Sequence, residues 1–321
     1  MRLALLGYGF MGGAHLAAMQ RIEGVEIAAV ASRTRPSADG PVRGNLDLKS
    51  GPLPDSVHWT PDWREVLADP MIDAVDICLP TDMHREVVLA ALHAGKHVLC
   101  EKPMALTVKD CNAMVLAAQG SGLTFMVAQV LRFMGPYRHA AEFVSTHRAS
   151  MAKATLQRST GFPGWGGWLA DTPRSGGAIL DLLSHDLDQA LHLFGHPESV
   201  RAESLGEVDT ARCTLRYQDG FQATVEGGWF TPEVEFSASF ELRAGDASLT
   251  LRDGVLRMDE QVIDLPEHDA YLDEIAYFVA CCRAGTQPDR CPPAASLDAV
   301  RISRLLTLSR DEGGREVPWQ A

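Results

Sequence analysis

Three polar residues at helical spacing and one lysine could together carry out proton transfer. Asp181, His185 and Asp188 are four and then three residues apart, so a single helix over 177–194 would present them on one face. An imidazole near its ordinary pKa exchanges a proton at neutral pH, and a neighbouring carboxylate orients it. Lys102 adds an ammonium that can donate to a substrate oxygen and can change its protonation state. These residue types fit acid–base catalysis on a small molecule.

A metal site is the alternative interpretation of that helix, because His192 continues the same face. Helical spacing alone does not define a metal site, which needs several converging ligands. The seven cysteines add no support, since their number is odd and no C-x-x-C pair occurs. We therefore expect neither a metal nor a disulfide framework.

A glycine-rich turn near the N-terminus could bind a phosphate group. The apolar run Arg2–Leu6 leads into Gly7-Tyr8-Gly9-Phe10-Met11-Gly12 and then into a helical pattern, which matches G-x-G-x-x-G between a strand and a helix. Such glycines allow a tight turn, a close approach of the backbone to a pyrophosphate, and close packing of helix on strand. A flexible turn without a ligand is the alternative. The context favours a dinucleotide site that includes Gly7, Gly9, Phe10, Met11 and Gly12.

The end of the second strand should select the cofactor. A carboxylate there would bind the ribose hydroxyls of NAD, whereas an arginine accommodates the 2′-phosphate of NADP. The chain has Ala31-Ser32-Arg33-Thr34-Arg35 at this point, without a carboxylate. Ser32 and Arg33 can both bind phosphate oxygens, so we expect NADP(H), with NAD(H) possible. Solvated loop charges are the alternative explanation of these arginines.

The elements that position these residues alternate in the first part of the chain. Short aliphatic runs predict strands, and amphipathic stretches between them predict helices, which is typical of a parallel sheet covered by helices. The predicted strands are Arg2–Leu6, Val25–Ala31, Ala74–Leu79, His97–Cys100 and Thr124–Val127. Beyond residue 127 the pattern changes to strand-like runs separated by turns between Ser199 and Met258, which predicts a largely antiparallel sheet. Helices are predicted at 137–148, 177–194, 271–283 and 297–308.

Three ordered motifs resemble those of the glucose-fructose oxidoreductase and inositol dehydrogenase family, Gfo/Idh/MocA, over nearly the whole chain. The motifs are Ile77-Cys78-Leu79-Pro80-Thr81-Asp82-Met83-His84, Ala94-Gly95-Lys96-His97-Val98-Leu99-Cys100-Glu101-Lys102-Pro103, and Gly176-Gly177-Ala178 followed by Asp181, His185, Asp186 and Asp188. Leu79 and Thr81 depart from the family pattern. Leu131-Arg132-Phe133 with Pro136 and Tyr137 is a weaker fourth match.

The resemblance implies an α/β protein of two domains. Residues 1–126 would form a Rossmann domain that binds the dinucleotide, and residues 127–321 an α/β domain with an open, mostly antiparallel sheet. The substrate would lie in the cleft between them. The sheet should also mediate a homodimer or homotetramer, because we expect its open face to be apolar.

The resemblance also assigns site residues. Lys102, Asp181 and His185 would form the catalytic set and contact the substrate, and the peptide bond from Lys102 to Pro103 would be cis. Further cofactor contacts would come from the strand-end residues Leu79, Pro80, Thr81, His84, Glu101 and Lys102. Arg132, Trp165 and Trp168 are candidate substrate contacts, and Tyr137 and Arg174 are weaker ones; packing roles are equally compatible with their types.

The implied activity is hydride transfer between a nicotinamide and a carbinol or keto carbon of a sugar, inositol or related polyol. An NAD-dependent glycosidase of the same fold and a non-enzymatic dinucleotide sensor are the alternatives. The net charge of −13 argues against nucleic acid as a partner. We find no apolar run long enough to cross a bilayer, so we expect a cytoplasmic protein.

Overall fold

The chain forms two compact units in a computed structural model that describes residues 1–35, 44, 53–54, 56–164, 167–206 and 209–320. Unit 1 comprises Met1–Val130 and Asp269–Leu297, and unit 2 comprises Leu131–His268 and Asp298–Ala321. Residues 269–297, which the sequence analysis assigned to the second domain, therefore pack with the first unit. Among the described residues, no helix combines the length and apolar character that a membrane span requires.

Unit 1 is built on a parallel sheet, as predicted. Its described strands are β1 (Arg2–Leu6), β2 (Glu26–Ala31), β3 (His58–Thr60), β4 (Ala74–Ile77), β5 (His97–Glu101) and β6 (Phe125–Ala128). They lie in the order β3-β2-β1-β4-β5-β6, so the direction of winding reverses between β1 and β4. In such sheets ligands bind beyond the carboxyl ends of the strands at the reversal. β3 was not predicted from the sequence.

Helices cover both faces of that sheet, which explains why its strands are almost wholly apolar. The helices of unit 1 are α1 (Phe10–Met19), α2 (Trp63–Ala68), α3 (Thr81–His93), α4 (Val108–Ser121) and α9 (Ala270–Ala284). β4 and β6 are buried at every residue. Local capping signals define several helix starts: the Thr107 side chain accepts from the Asp110 amide, and Asp269 accepts from Leu272.

Unit 2 contains a mixed, mostly antiparallel sheet. Its described strands are β7 (Met151–Gly161), β8 (Ser199–Glu203), β9 (Thr210–Arg216), β10 (Gln222–Phe230), β11 (Ser237–Ala244), β12 (Ala247–Arg252), β13 (Val255–Met258), β14 (Gln261–Val262) and β15 (Val317–Pro318). The order is β14-β13-β12-β11-β7-β10-β9-β8-β15, and β7 pairs with β10 in parallel. β7 is thus inserted between two later strands. The predicted strand-like runs ended at Met258, so β14 and β15 were not predicted from the sequence.

The open face of this sheet is polar, which corrects the apolar face we expected. Alternate residues of the central strands point into the unit, and the others on the open face are hydroxyl, amide or charged: Lys153, Thr155, Gln157, Ser159, Arg212, Thr214, Thr224, Glu226, Ser239, Glu241 and Arg243. Lys153 Nζ lies 2.7 Å from Glu241, and Arg212 Nε lies 2.7 Å from Glu226. Because apolar and polar residues alternate along each strand, the apolar side chains pack in the interior and the polar ones meet solvent. Self-association through this sheet stays a prediction, without the apolar surface on which it was based.

The helix predicted over 177–194 is in fact two helices. The helices of unit 2 are α5 (Gly135–His147), α6 (Thr172–Ser175), α7 (Gly177–Asp181) and α8 (Ser184–Phe194), and α10 (Pro293–Asp311) has residues in both units. The break follows from a change in bonding: the amides of Leu182 and Leu183 both donate to the Ala178 carbonyl, and the Ser184 hydroxyl donates to that of Asp181. Continuous helical spacing therefore does not relate Asp181 to His185.

Candidate functional site

The glycine turn of unit 1 has the geometry of a dinucleotide-binding loop. Gly7 has a φ of +102°, and a Cβ on Gly12 would lie 2.1 Å from the carbonyl oxygen of Gly7. Side chains at these two positions would force the turn open. A Cβ on Gly9 would meet no atom within 4 Å. The backbone is thus tightly packed on one side and open at Gly9, where a ligand can approach.

The backbone groups around this opening suit an anionic cofactor. α1 begins after Gly9, and α3 begins after Pro80 without a capping side chain among the described residues. Both helices start at the carboxyl ends of β1 and β4, where the sheet order reverses. Helix amides without partners favour phosphate there. The Thr81 hydroxyl is buried and has no hydrogen-bond partner in the described part of the chain, so one more polar group of this region is left for a ligand.

The end of β2 presents Arg33 to solvent and keeps Ser32 occupied. The Ser32 hydroxyl donates to the Thr34 carbonyl at 2.8 Å and accepts from Trp59 Nε1 at 3.1 Å. Its proton is therefore used within the loop. Arg33 is exposed.

Lys102 follows β5 and is half-buried, whereas Glu101 and Pro103 on either side are buried. The Lys102 backbone amide donates to Glu101 Oε2 at 2.8 Å, and the following peptide bond is cis, as the resemblance implied. The ring of buried His84 spans the two motifs, with Nδ1 2.9 Å from the Pro103 carbonyl and Nε2 2.8 Å from that of Leu79. Burial lowers the pKa of His84 despite these two contacts. His84 therefore connects the ends of β4 and β5.

A buried group of ionisable side chains lies beneath the turn and the lysine. His15 of α1 places Nδ1 2.8 Å from Asp76 Oδ2 and Nε2 3.1 Å from Glu101 Oε1. Burial opposes a charge on His15, but the Asp76 carboxylate outweighs it and raises the His15 pKa well above its usual value. Burial likewise raises the pKa of Glu101, but His15 and Lys102 lower it more strongly, so the net shift is downward. The His15 ring thus lies between two carboxylates, and the direction of its pKa shift favours the charged form.

In unit 2, Asp181 and His185 stand out by exposure. Both are half-buried, and every other residue from 175 to 190 is buried. His192, in the last turn of α8, is exposed. The segment therefore offers two polar side chains to solvent within an otherwise closed surface.

Two buried ion pairs hold α8 directly after His185. Arg158 Nε lies 2.6 Å from Asp186 Oδ2, and the same guanidinium donates to the Tyr137 hydroxyl at 3.1 Å. Arg132 donates to Asp188 through Nε at 2.9 Å and Nη2 at 2.7 Å. Paired, hydrogen-bonded charges of this kind fix the position and the rotation of a helix. Asp188, expected beside His185, thus binds Arg132, and buried Tyr137 binds Arg158.

The start of α7 is held by Asp209. Its Oδ2 accepts the Ala178 amide at 2.6 Å, and its Oδ1 lies 2.5 Å from Arg310 Nη1. Gly177 has a φ of +78°, and a Cβ there would lie 2.5 Å from Asp209 Oδ2. This contact explains the glycine before Ala178.

The tryptophan loop is described in part. Trp168 is half-buried and packs with Phe162 on a cluster of Leu169, Ala178, Leu182 and Trp229. Trp165 lies outside the described residues. Arg174, at the end of the short helix α6, is half-buried.

Two family models match the chain over most of its length. Residues 1–129 match the oxidoreductase family with an NAD-binding Rossmann fold, and residues 147–250 match the GFO/IDH/MocA C-terminal domain. The chain belongs to the Gfo/Idh/MocA family of oxidoreductases. The resemblance inferred from the motifs is confirmed, and so is the α/β fold class with its two kinds of sheet.

Several of the curated relatives carry the names of sugar and polyol enzymes. The 1,5-anhydro-D-fructose reductase of Ensifer adhaerens is 31% identical over 74% of this chain and 76% of its own length. The myo-inositol 2-dehydrogenase of Thermotoga maritima is 26% identical over 95% and 94%. Among solved structures, a levoglucosan dehydrogenase in complex with NADH and levoglucosan has a TM-score of 0.83 at 20% identity over the whole of both chains, which shows the shared fold.

Sequence reasoning missed four ionisable residues of this Gfo/Idh/MocA oxidoreductase that shape the sites: His15, Asp76, Asp209 and Glu274. Three of them carried a sequence signal, because His15, Asp76 and Glu274 each stand within an apolar run, where an ionisable group is unusual. The structure buries all three fully. Asp209 had none, since a loop aspartate is ordinary.

Proposed function

We propose that the chain oxidises or reduces a carbinol or keto carbon of a sugar, inositol or related polyol with a nicotinamide cofactor. The bound nicotinamide supplies or accepts the hydride. The names of the curated relatives support this substrate class, since they include a reductase of an anhydrosugar and a dehydrogenase of an inositol.

In the oxidative direction His185 removes the proton of the substrate hydroxyl. Asp181 orients the imidazole and favours its charged form after proton transfer. Lys102 donates a hydrogen bond to the same substrate oxygen and stabilises the negative charge that develops on it. The hydroxyl proton thus passes to the imidazole, and the carbon-bound hydrogen leaves with its electron pair as the hydride that the nicotinamide accepts.

One observation carries these roles: Asp181 and His185 are half-buried, whereas every other residue of segment 175–190 is buried. A general base must be reachable by its substrate, and the buried ion pairs at Asp186 and Asp188 keep α8 from rotating. Lys102 meets the same requirement in unit 1, because it is half-buried between two buried neighbours.

The test is a screen of sugars and polyols with both nicotinamide cofactors, followed by His185→Gln and Lys102→Met. We expect kcat on the best substrate to fall by about 10²- to 10⁴-fold in each variant, with cofactor affinity nearly unchanged. His192→Gln and Lys109→Met, at exposed positions, are the matched controls and should keep full activity. Retained turnover in either site variant would refute its role. Aglycone release without net change in cofactor absorbance would identify a glycosidase instead.

For the cofactor we propose NADP(H) in preference to NAD(H). The segment after β2 lacks a carboxylate for the ribose hydroxyls, and Arg33 is exposed at this point. Arg33, rather than Ser32, would meet the 2′-phosphate, because the Ser32 proton is already donated to Thr34.

Fluorescence titration of NADPH and NADH tests the preference. We expect tighter binding of NADPH, and Arg33→Ser should weaken NADPH binding by at least about tenfold while leaving NADH binding within a factor of about two. Arg64→Ser, at another exposed arginine of unit 1, should change neither. Tighter binding of NADH by the unaltered chain would contradict this proposal.

A further inference from the structure

Lys102 is connected to α1 through three side chains that the proposed reaction does not use. His15 comes from α1, Asp76 from β4 and Glu101 from β5, and β4 and β5 are neighbours in the sheet. The side chains of His15 and Asp76 are fully buried, and that of Glu101 is 10% exposed. The contacts run in series: Asp76 to His15 Nδ1, His15 Nε2 to Glu101 Oε1, and Glu101 Oε2 to the backbone amide of Lys102.

Both carboxylates of this series need a cation. Two ionised carboxylates near one imidazole in a buried region repel each other, and a charged imidazole offsets this repulsion where little water is present. Nδ1 of His15 makes the hydrogen bond to Asp76, whereas Nε2 lies 3.1 Å from Glu101 Oε1 as an ion-pair contact, outside hydrogen-bond geometry. A charged ring attracts both carboxylates at once, so the charge balance of the group favours the imidazolium.

We propose that His15 is a positioning residue for Lys102, acting through Glu101: the imidazolium keeps Glu101 ionised, and the Glu101 carboxylate fixes the main chain on which Lys102 stands. The inference rests on the proposed function in one respect, namely that Lys102 contacts the substrate. Asp76 holds the far side of the ring and so selects its orientation.

Other titratable groups face the same region from every element that packs on it. They are Asp76, Cys78, His84, Cys100, Lys102, Tyr271 and Glu274. Burial raises the pKa of both thiols, so Cys78 and Cys100 stay neutral near pH 7. Burial, with Glu101 and Asp76 nearby, also raises the pKa of Glu274 well above its usual value. Glu274 is therefore the neighbour whose titration must be separated from that of Glu101.

The decisive measurement is the NMR shift of the Lys102 backbone amide as a function of pH in the full-length protein, with and without His15→Gln. The amide donates to Glu101, so its proton shift reports whether that carboxyl is ionised. In the unaltered chain we expect no titration of this signal from about pH 5.5 to about pH 9, because the pKa of Glu101 is lowered. In His15→Gln the cation is lost and burial dominates, so the signal should titrate within that range.

Two further variants make the result specific. Glu101→Gln combined with His15→Gln should abolish the titration, and Glu274→Gln combined with His15→Gln should retain it. If His15→Gln does not fold, Asp76→Asn serves in its place. The His15 ring should then lose a proton within the same range, whereas in the unaltered chain we expect it to keep both ring protons there. A neutral His15 in the unaltered chain, or an unchanged Lys102 amide in His15→Gln, would overturn the inference.

Activity supplies a separate readout. In His15→Gln, kcat at about pH 7 should fall at least about tenfold and recover as pH rises and Glu101 ionises, with the cofactor Kd within about threefold. A merely structural defect would lower kcat equally at all pH values, which would count against positioning. The exposed His93 provides the control variant His93→Gln, which should keep the original profile. Should no polyol be turned over, the proposed function fails, while the amide titration still decides this inference.

Discussion

The guanidinium of Arg158 lies against the carboxylate of Asp186, one residue after the candidate base His185, with Nε 2.6 Å from Oδ2. Both side chains are buried, 5% and 0% exposed. The pair therefore couples strand β7 to helix α8 at the point where the imidazole must be held. Each charge of the pair offsets the cost of burying the other, so the loss of one leaves the other buried without a partner charge.

Removing one partner of this pair should destabilise the protein strongly. Arg158→Met leaves the Asp186 carboxylate buried without compensation, and we expect the free energy of unfolding to fall by about 3–5 kcal/mol. Urea denaturation at neutral pH measures this. Arg64→Met, which breaks an exposed pair with Glu86, is the control and should leave the unfolding curve nearly unchanged. Equal effects of the two variants would contradict the importance of burial.

Gly177→Ala should cost more stability than Gly122→Ala. Both glycines have a positive φ, +78° and +69°, so an alanine is strained at either position. A Cβ at Gly177 additionally meets Asp209 Oδ2 at 2.5 Å, whereas one at Gly122 meets no atom within 4 Å. We expect a loss of about 1–2 kcal/mol for Gly122→Ala, which is left-handed at the end of α4, and a clearly larger one for Gly177→Ala, by thermal or urea denaturation. Similar losses would show that Asp209 can move aside.

The glycine turn should separate folding from cofactor binding. Gly12→Ala places a methyl group 2.1 Å from the Gly7 carbonyl and should lower the melting temperature. Gly9→Ala meets open space, so the fold should tolerate it, but the methyl group fills the approach to the turn. We expect cofactor affinity to fall by at least about tenfold in Gly9→Ala, with little change in melting temperature. Unchanged affinity would remove Gly9 from the cofactor site.

Glu274 should make the stability of the protein fall as pH rises. Burial raises its pKa in the folded state, so the folded chain binds the proton more tightly than the unfolded chain does. Stability from this group is therefore complete below the unfolded pKa and decreases as pH rises above it. Glu274→Gln removes the decrease and should stabilise the protein by more at about pH 8 than at about pH 5, a difference of at least about 1 kcal/mol. Urea denaturation at both pH values checks this, and a parallel shift would contradict it.

Self-association through the sheet of unit 2, if it occurs, should weaken with salt. The open face carries charged pairs such as Lys153 with Glu241, and salt screens exposed charges. Sedimentation velocity at low and high ionic strength measures the association. An association that strengthens with salt would indicate an apolar contact elsewhere on the chain.

The sequence was sufficient where the structural cause is local. The bounds of β1 agree with the prediction to the residue, because an aliphatic run before Gly7 is a complete signal in itself. The glycine turn was likewise readable from spacing. The chemistry of an ammonium marked Lys102 as a candidate, but the motif that ends in Lys102-Pro103 was identified only through the family resemblance.

Most of what could not be predicted depends on partners far away in the chain, and the break between α7 and α8 is a local exception. There the amides of Leu182 and Leu183 both donate to the Ala178 carbonyl, while the helical periodicity of the sequence continues without interruption. Arg132 and Asp188 are 56 residues apart, and neither local sequence indicates that the two side chains form a pair. The buried group around His15 has the same origin, because it assembles from α1, β4 and β5.

The return of residues 269–297 to unit 1 affects how the chain acquires its structure. Arg21 pairs with Asp269, and Arg283 donates to the Glu23 carbonyl, a sequence separation of 260 residues. α9 also supplies Glu274 to the neighbourhood of His15. On a ribosome that is still translating unit 2, the nucleotide-binding unit therefore lacks one helix of its own interior, and its last contacts form only after nearly the whole chain has been synthesised.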